Sequence, residues 1–520
     1  MDSPMKKSES LKKQNNFLQK VPVARTILKK WNFYKSVRES LKWHHDEHDI
    51  EELAKNILPE SEKIEIHCAW VTEMYAPSNI DILIKSLKNL GWDKPVNDMG
   101  NKFSLAEWIK QCRSFGNRSS WMNGGIICSS SDNTRFLGEY KRCAKLPLGV
   151  DYARLSIQNK TSSLTLITIQ FVFNDDIANS LNKPFNDSYR TKVIYRPSLL
   201  RIKVATYIGV IEQKMQAIKG KLDEIHTSLY SWLNDNLPGH YSFSGAGAFP
   251  TVDLITSRIY KQPEENGSHL KDHYTDLIFD CGLEVWKCKD DANLELRLPW
   301  RSTEKPIAVL FGNYDKLTKD TESYGGKDRS ALTAKLQMAF DVTMGLWATH
   351  NLLLSYEQQL SAIRDRVAFQ IKGTRAALKN LDYIQHHFLL ISTDTQAIGN
   401  DAAALVKAKR HYSTDALDFD PPHYLKNASP TFVEFLRQQD EMRTEQLIKL
   451  ESRVNETITS SGNLTSTIAN LRIQRNVFWF TFIVAILTLF SIFKNDPLLQ
   501  EIQQRLTYLT DLIKALLQKL

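Results

Sequence analysis

From Val477 to Phe493 the chain reads VFWFTFIVAILTLFSIF, seventeen residues without a charge. As a helix this run would measure roughly 25 Å, the short end of what crosses a hydrocarbon core. Arg472 and Arg475 close one end, Lys494 closes the other, and Trp479 stands where an interfacial aromatic belongs. Thr481, Thr488 and Ser491 are tolerable inside such a helix, because their hydroxyls can return to its own carbonyls. The alternative is a buried core helix, but no face of the segment is polar. The expectation is therefore a single transmembrane helix over 477–493.

The flanks extend this pattern. Asp496 reads as an N-cap and Pro497 as a first helical residue. Leu499, Ile502, Leu506, Leu509, Ile513, Leu516 and Leu520 then alternate at spacings of three and four, a heptad seam. Leu498, Leu512 and Leu517 broaden it, which suits a bundle of several helices or a helix lying on a membrane surface. A weaker heptad, Leu447, Leu450, Val454, Thr457, Ser461, Leu464, Ile468 and Leu471, precedes the span. Its polar interruptions fit either a tuned oligomer or an amphipathic helix packed on its own domain.

Residues 1–30 hold eight basic side chains against Asp2 and Glu9, so +6 of the net +8 lies there. Such an arm is either a solvated, disordered tail or a contact for anionic lipid. No basic stripe continues beyond it, so nucleic acid is not an expected partner. The N-terminus lacks the apolar core of a secretory signal. A large domain without an export signal should stay where it is made. The expected location is a membrane, single-pass, with the large N-terminal part cytoplasmic, in a bacterial inner membrane. The six cysteines show no CxxC spacing, which argues against a zinc ribbon or a thioredoxin-like site.

Between the termini, Ser163 to Phe173 is rich in β-branched and aromatic residues and reads as a strand. Lys63 to Trp70, Lys192 to Tyr195, Leu277 to Trp286, Leu294 to Leu298 and Ile307 to Phe311 are shorter candidates. Leu199 to Leu237, which stops at Pro238-Gly239, and Ala331 to Leu390 read as helical. The expected class is an α+β cytoplasmic domain, then a mainly helical region and stalk, one C-terminal transmembrane helix and a short amphipathic tail helix. The expected boundaries are 1–30 for the arm, 31–330 for the α+β domain, 331–430 for the helical region, 431–476 for the stalk, 477–493 for the span and 494–520 for the tail.

Chemistry is harder to place. His44 and His48 would share a helix face and could hold a metal, although the run HHDEHD also reads as a solvated polar face. His269 and His273 repeat the spacing in a loop-like context. Ser242 to Ala248 could offer backbone N–H groups to an anion, but no strand precedes it and Pro250 follows. Lys327 and Arg329, after the glycine turn of TESYGGKDR and at a helix start, form the better candidate for an anionic ligand. No GxSxG elbow, HExxH, Walker loop or kinase set is present, and no cofactor is identified.

Two functional readings follow. One is a membrane-anchored protein with a ligand-binding or regulatory domain, self-associating through stalk and tail. The other is an oligomeric pore gated by that domain. The layout resembles that of CorA-type ion channels and transporters, which implies a gated channel. Their Gly-Met-Asn signature and second apolar span are missing here, so the likeness covers layout alone. A membrane-anchored enzyme is a third reading without a motif in its favour.

Overall fold

In the computed structural model, strands rich in β-branched and aromatic residues join into one mixed sheet of ten. The structure describes residues 22–43, 49, 58–93, 96–98, 101–114, 119–129, 141–194, 206–244, 247–259, 278, 284–298, 306–369, 384, 388–402, 416–422, 425, 431–492, 501–502 and 504–511. The chain divides into two units, one of Met1–Ser355 with Gln396–Gln446, the other of Tyr356–Thr395 with Leu447–Leu520.

In chain order the elements are α1 (Pro22–Trp43), β1 (Glu65–Tyr75), α2 (Ile80–Asn89), β2 (Val96–Asp98), β3 (Asn101–Phe103), α3 (Leu105–Ser114), β4 (Ser120–Cys128) and β5 (Lys141–Cys143). Next come β6 (Val150–Asn159), β7 (Thr165–Phe173), α4 (Asp175–Ala178), α5 (Asn182–Asn186), β8 (Lys192–Ile194), β9 (Thr206–Ile208), α6 (Val210–Asn236) and α7 (His240–Phe243). The chain continues with β10 (Thr251–Ser257), β11 (Glu284–Cys288), β12 (Leu294–Leu298), β13 (Ile307–Asn313), α8 (Tyr314–Leu317), a 3-10 turn (Glu322–Tyr324), α9 (Arg329–Phe369), β14 (Phe419–Asp420) and α10 (Phe432–Ile492). The sheet order is β14-β11-β12-β13-β10-β1-β7-β6-β4-β5. Two pairings, β10 with β13 and β4 with β5, are parallel. The α+β class expected for this region is what the structure shows.

Period-two alternation sends the central strands' side chains to two different covers. Trp70, Val252, Leu254 and Leu310 join Leu332, Leu336, Phe340 and Met344 of α9 in one apolar cluster. On the other face Trp232 of α6 meets Phe171 edge-on, with ring centroids 5.6 Å apart. Helix α6 also brings His226 within 2.9 Å of Asp253, a fully buried pair. At the sheet edge Phe432 and Phe435, in the first turn of α10, pack on Trp286.

Three strands escape a reading by hydropathy. Strand β6 carries Arg154, Ser156 and Gln158 on the face beneath α9, all buried. Strand β10 holds Asp253, buried against His226. In both cases polar residues that should face water are paired inside. Strand β4 runs unbroken through Trp121 to Gly125 despite its paired glycines, with a register shift between Asn123 and Gly125.

In the second unit, Leu360, Ile363, Ile391, Val454 and Ile458 are buried. Tyr356 donates to Asp394 at 3.3 Å and Ser392 donates to the Glu451 carboxylate. The buried stripe of the stalk is thus Leu447, Glu451, Val454 and Ile458. This part of α10 packs on its own chain, the amphipathic alternative.

The transmembrane expectation is corrected. Among the described residues no helix is long and apolar enough to cross a membrane. The apolar run whose side chains are described, Val477 to Leu489, covers only about 20 Å as a helix, against a hydrocarbon core of about 30 Å. The turn before it carries Arg472 and Arg475. The single-pass span, the membrane location, the cytoplasmic side assigned from it and the bacterial inner membrane are corrected with it.

The turn between α6 and α7 depends on a glycine. A Cβ on Gly239 would lie 2.7 Å from the carbonyl oxygen of Met74 and 2.8 Å from Glu73, neither free to retreat. Gly239→Ala should lower the unfolding free energy by about 1–3 kcal/mol, measured by chemical denaturation of the full chain.

Candidate functional site

The carboxyl ends of β10 and β13, the parallel pair, lie side by side at one end of the sheet. In open sheets with parallel strands this is where ligands gather. Here the end holds a layer of ion pairs and, beside it, an open cavity.

The ion-pair layer is built on Glu65 and His67 of β1. Arg258, just past β10, reaches Glu65 at 3.1 Å and Asp315 at 2.6 Å, and its guanidinium lies 4.0 Å from the Tyr314 ring centre. Arg329, opening α9, donates to the Phe173 carbonyl at 3.1 Å and pairs with Asp175 at 2.9 Å. Its Nε–H points at His67 Nδ1, 3.3 Å away. A guanidinium can only donate, so the imidazole proton sits on Nε2 and is donated to Thr256 Oγ1 at 2.6 Å. Burial, reinforced by Arg329, Arg258 and Lys63, holds the His67 pKa well below its ordinary value, so the ring is neutral. Glu62 closes the layer by accepting from Ser257 Oγ and from the Arg258 N–H. Every cation in this layer already has its anion.

The sequence candidates therefore part company. Arg329 is committed inside the layer. Lys327 turns outward and pairs with Glu322 at 2.9 Å, both well exposed. Gly325 and Gly326 do take positive φ, 107° and 153°, and the Thr321 hydroxyl donates to the Gly326 carbonyl at 2.7 Å. The turn orders itself rather than a ligand. His44, His48, His269 and His273 lie outside the described residues, as do Leu499, Ile513, Leu516 and Leu520. Among the described residues no group of three or more histidines, cysteines or carboxylates is placed to hold a metal.

The N–H groups around Ser242 do bind an anion, but it belongs to the protein. Glu73 accepts from the backbone of Gly239, Tyr241 and Ser242 and from the Ser242 hydroxyl, at 2.8 to 3.2 Å. Burial lifts its pKa to about 7 against these donors. Thr481 and Thr488 return their hydroxyls to the carbonyls of Val477 and Val484, each at 2.8 Å. Trp479 is exposed, as are Ile502, Leu506 and Leu509 of the tail. The structure gives the helical backbone of Ser491.

The cavity, of about 540 Å³, opens beside α8. The β11–β12 turn forms one wall with Asp290 and Asp291. Lys316, Lys319 and Tyr324 form the second, and Lys335 of α9 the third. Asp291 is engaged locally, accepting from the N–H and side-chain amide of Asn293 at 3.0 Å. Gly312 lets that turn approach, since a Cβ there would meet the Asn293 carbonyl. Although carboxylates line the same space, Lys316, Lys319 and Lys335 form no ion pair with a described residue. Sequence reasoning passed over these lysines because they are scattered over twenty positions with no motif between them. Only the return of α9 to the β11–β12 turn assembles them.

Behind the cavity, α9 covers a buried polar layer. Arg154 donates to Gln170 at 2.7 Å, to Thr333 at 3.1 Å and to the Ser330 carbonyl at 3.2 Å. Gln158 donates to the Asp341 carbonyl at 2.7 Å. Burial raises the Asp341 carboxyl to about 7, with Ser156, Trp121, Arg154 and Lys160 opposing. Burial lowers Lys160 to about 8, with Asp341 opposing.

No protein-family model matches the chain, and no curated protein matches it at a significant level.

The Asp341 carboxyl binds its proton more tightly when folded than when unfolded. Its contribution to stability is complete below about pH 4 and is lost as pH rises towards 7. Asp341→Asn removes this loss. The stability of that variant relative to the parent should rise between pH 4 and 7, at up to about 1.4 kcal/mol per pH unit, and level off above. Urea titrations of both proteins at pH 5, 6, 7 and 8 check this, and a pH-independent difference would count against it.

Proposed function

We propose that this chain is a ligand-binding, regulatory protein whose mixed-sheet unit takes a small anionic molecule. The observation that carries the reading is the set of three lysines facing a cavity of about 540 Å³ without an ion pair among the described residues. The volume suits a small-molecule site. Asp290, Asp291 and Asp320 line the same space without pairing with these lysines, so an entering anion gains charge-assisted hydrogen bonds from ammonium groups that no described carboxylate has taken. No described group in the cavity pairs a nucleophile with a base, so binding is favoured over catalysis.

The expected outcome is binding of inorganic pyrophosphate to the full chain, measured by titration calorimetry at low salt. Lys335→Gln and Lys316→Gln should each weaken it roughly tenfold, in line with about 1.5 kcal/mol for a hydrogen bond to a charged group. If pyrophosphate does not bind, or binds the double variant equally well, the reading fails.

Self-association is a second part of this reading, supported by a separate observation. Nine large apolar side chains between Val477 and Leu489 of α10 are 44–70 % exposed, around the whole circumference. That amounts to an area on the order of 1,000 Å² per copy, what a stable protein contact buries on each side. Patches of this size on a single chain mark contact surfaces. The tail residues Ile502, Leu506 and Leu509 continue an exposed seam. The full chain should sediment as a closed oligomer, and a chain ending at Asn476 as a smaller species. A monomeric full chain rules self-association out.

A further inference from the structure

The cavity that the proposed function uses has more in it than lysines, and its other groups narrow the class of ligand. Tyr324 lines the same space, is 42 % exposed, and is an aromatic group on which a flat apolar part of a ligand could stack. Asp290, on the β11–β12 turn, lines it too, is exposed, and forms no ion pair with a described residue. Lysines sit on the α8 and α9 walls, and two exposed carboxylates, Asp290 on the turn wall and Asp320 beside Lys319, share the space with no Lys–Asp approach inside 4 Å. Opposite charges within one cavity that stay apart are not neutralising each other. They suit a molecule with an anionic end and a hydrogen-bond-donating end, joined by a flat apolar part.

We infer that the cavity binds a nucleoside phosphate: phosphate on Lys316, Lys319 and Lys335, base stacked on Tyr324, and the base's amino edge donating to Asp290. Each assignment follows from what the group can do. Ammonium groups only donate, so they take the phosphate oxygens. A carboxylate only accepts, so it favours a base with an exocyclic amine over uracil, whose single donor N3–H lies between two carbonyl oxygens that repel the carboxylate. An exposed aromatic ring stacks on any base, supplying affinity without choosing among them. The anionic end rests on the lysine reading above, and the base end is the new step.

The test is titration calorimetry of the full chain with inorganic pyrophosphate, UDP, ADP, CDP and GDP under one buffer and salt. The expected result is that ADP, CDP and GDP bind at least tenfold more tightly than pyrophosphate. UDP, whose base has no exocyclic amine, should be weaker than all three. Tyr324→Ala should weaken ADP about tenfold and leave pyrophosphate within twofold, which also shows that the variant is folded. Asp290→Asn should narrow the gap between ADP and UDP. If pyrophosphate binds and no nucleotide binds more tightly, the nucleoside phosphate assignment is overturned and the anion site stands. UDP binding as tightly as ADP also overturns the assignment. If neither pyrophosphate nor any nucleotide binds, both readings fall together.

Discussion

Helix α9 can lie on the sheet in only one position, because the polar groups beneath it have only one set of partners. Arg154 needs the Ser330 carbonyl and the Thr333 hydroxyl, Gln170 needs the Thr333 carbonyl at 2.9 Å, and Gln158 needs the carbonyl of Asp341. A slide by one turn would leave several of these buried groups unpaired, at about 1–3 kcal/mol each. The apolar half of the interface, Leu336, Phe340 and Met344 on Trp70 and Leu310, would tolerate small shifts far better. Apolar burial thus supplies the attraction and the polar layer fixes the register. Both ends of the site depend on this: Arg329 reaches Asp175 and His67 only if the helix starts where it does, and Lys335 faces the cavity for the same reason.

The protein also neutralises its own anion sites. Two places that offer backbone N–H groups, the Gly239–Ser242 turn and the end of β10, are filled by Glu73 and Glu62 respectively. The arginines at the sheet end are likewise matched to Glu65, Asp175 and Asp315. Such layers hold strand ends together and leave no charge for a visitor. At the cavity, unlike the sheet end beside it, Lys316, Lys319 and Lys335 have no such matching among the described residues. A ligand site in a folded protein is recognisable by charges it has not already satisfied, rather than by how many charges it contains.

How much of this was legible beforehand varied with the balance of apolar and polar signals. Strands β7 and β13 were placed within a few residues because their β-branched and aromatic runs are buried on both faces, and β12, Leu294 to Leu298, because its leucines alternate with polar residues. Strands β6 and β10 were missed, since Arg154, Gln158 and Asp253 look like solvent-facing residues and their partners lie far away in sequence. The helix stop at Pro238-Gly239 was readable from local chemistry alone, but the reason for the glycine, the approach of Met74 and Glu73, was not. Among the site residues, Arg329 was singled out for its position at a helix start, and that start is real. Its commitment to four partners on other elements has no local signature. The cavity lysines carried no local signal at all, since Lys316 sits on the four-residue α8, Lys319 on the turn after it and Lys335 on a face of α9.

Helix α10 shows the limit of reading hydropathy without packing. From Leu447 to Ile458 its apolar residues recur on one face, and that face is buried against its own chain. From Val477 onward apolar residues occupy every face, so no single stripe exists to dock on a neighbouring helix. Intrahelical bonds, including the returns of Thr481 and Thr488, satisfy the backbone there without any outside partner. The segment is helical, its ring contacts among Phe478, Trp479 and Phe482 lie within itself, and nine of its large apolar side chains stay 44–70 % exposed. Docking one face on the same chain would still leave the others exposed. A surface apolar all round is better covered from several sides at once, which is what association of several copies provides.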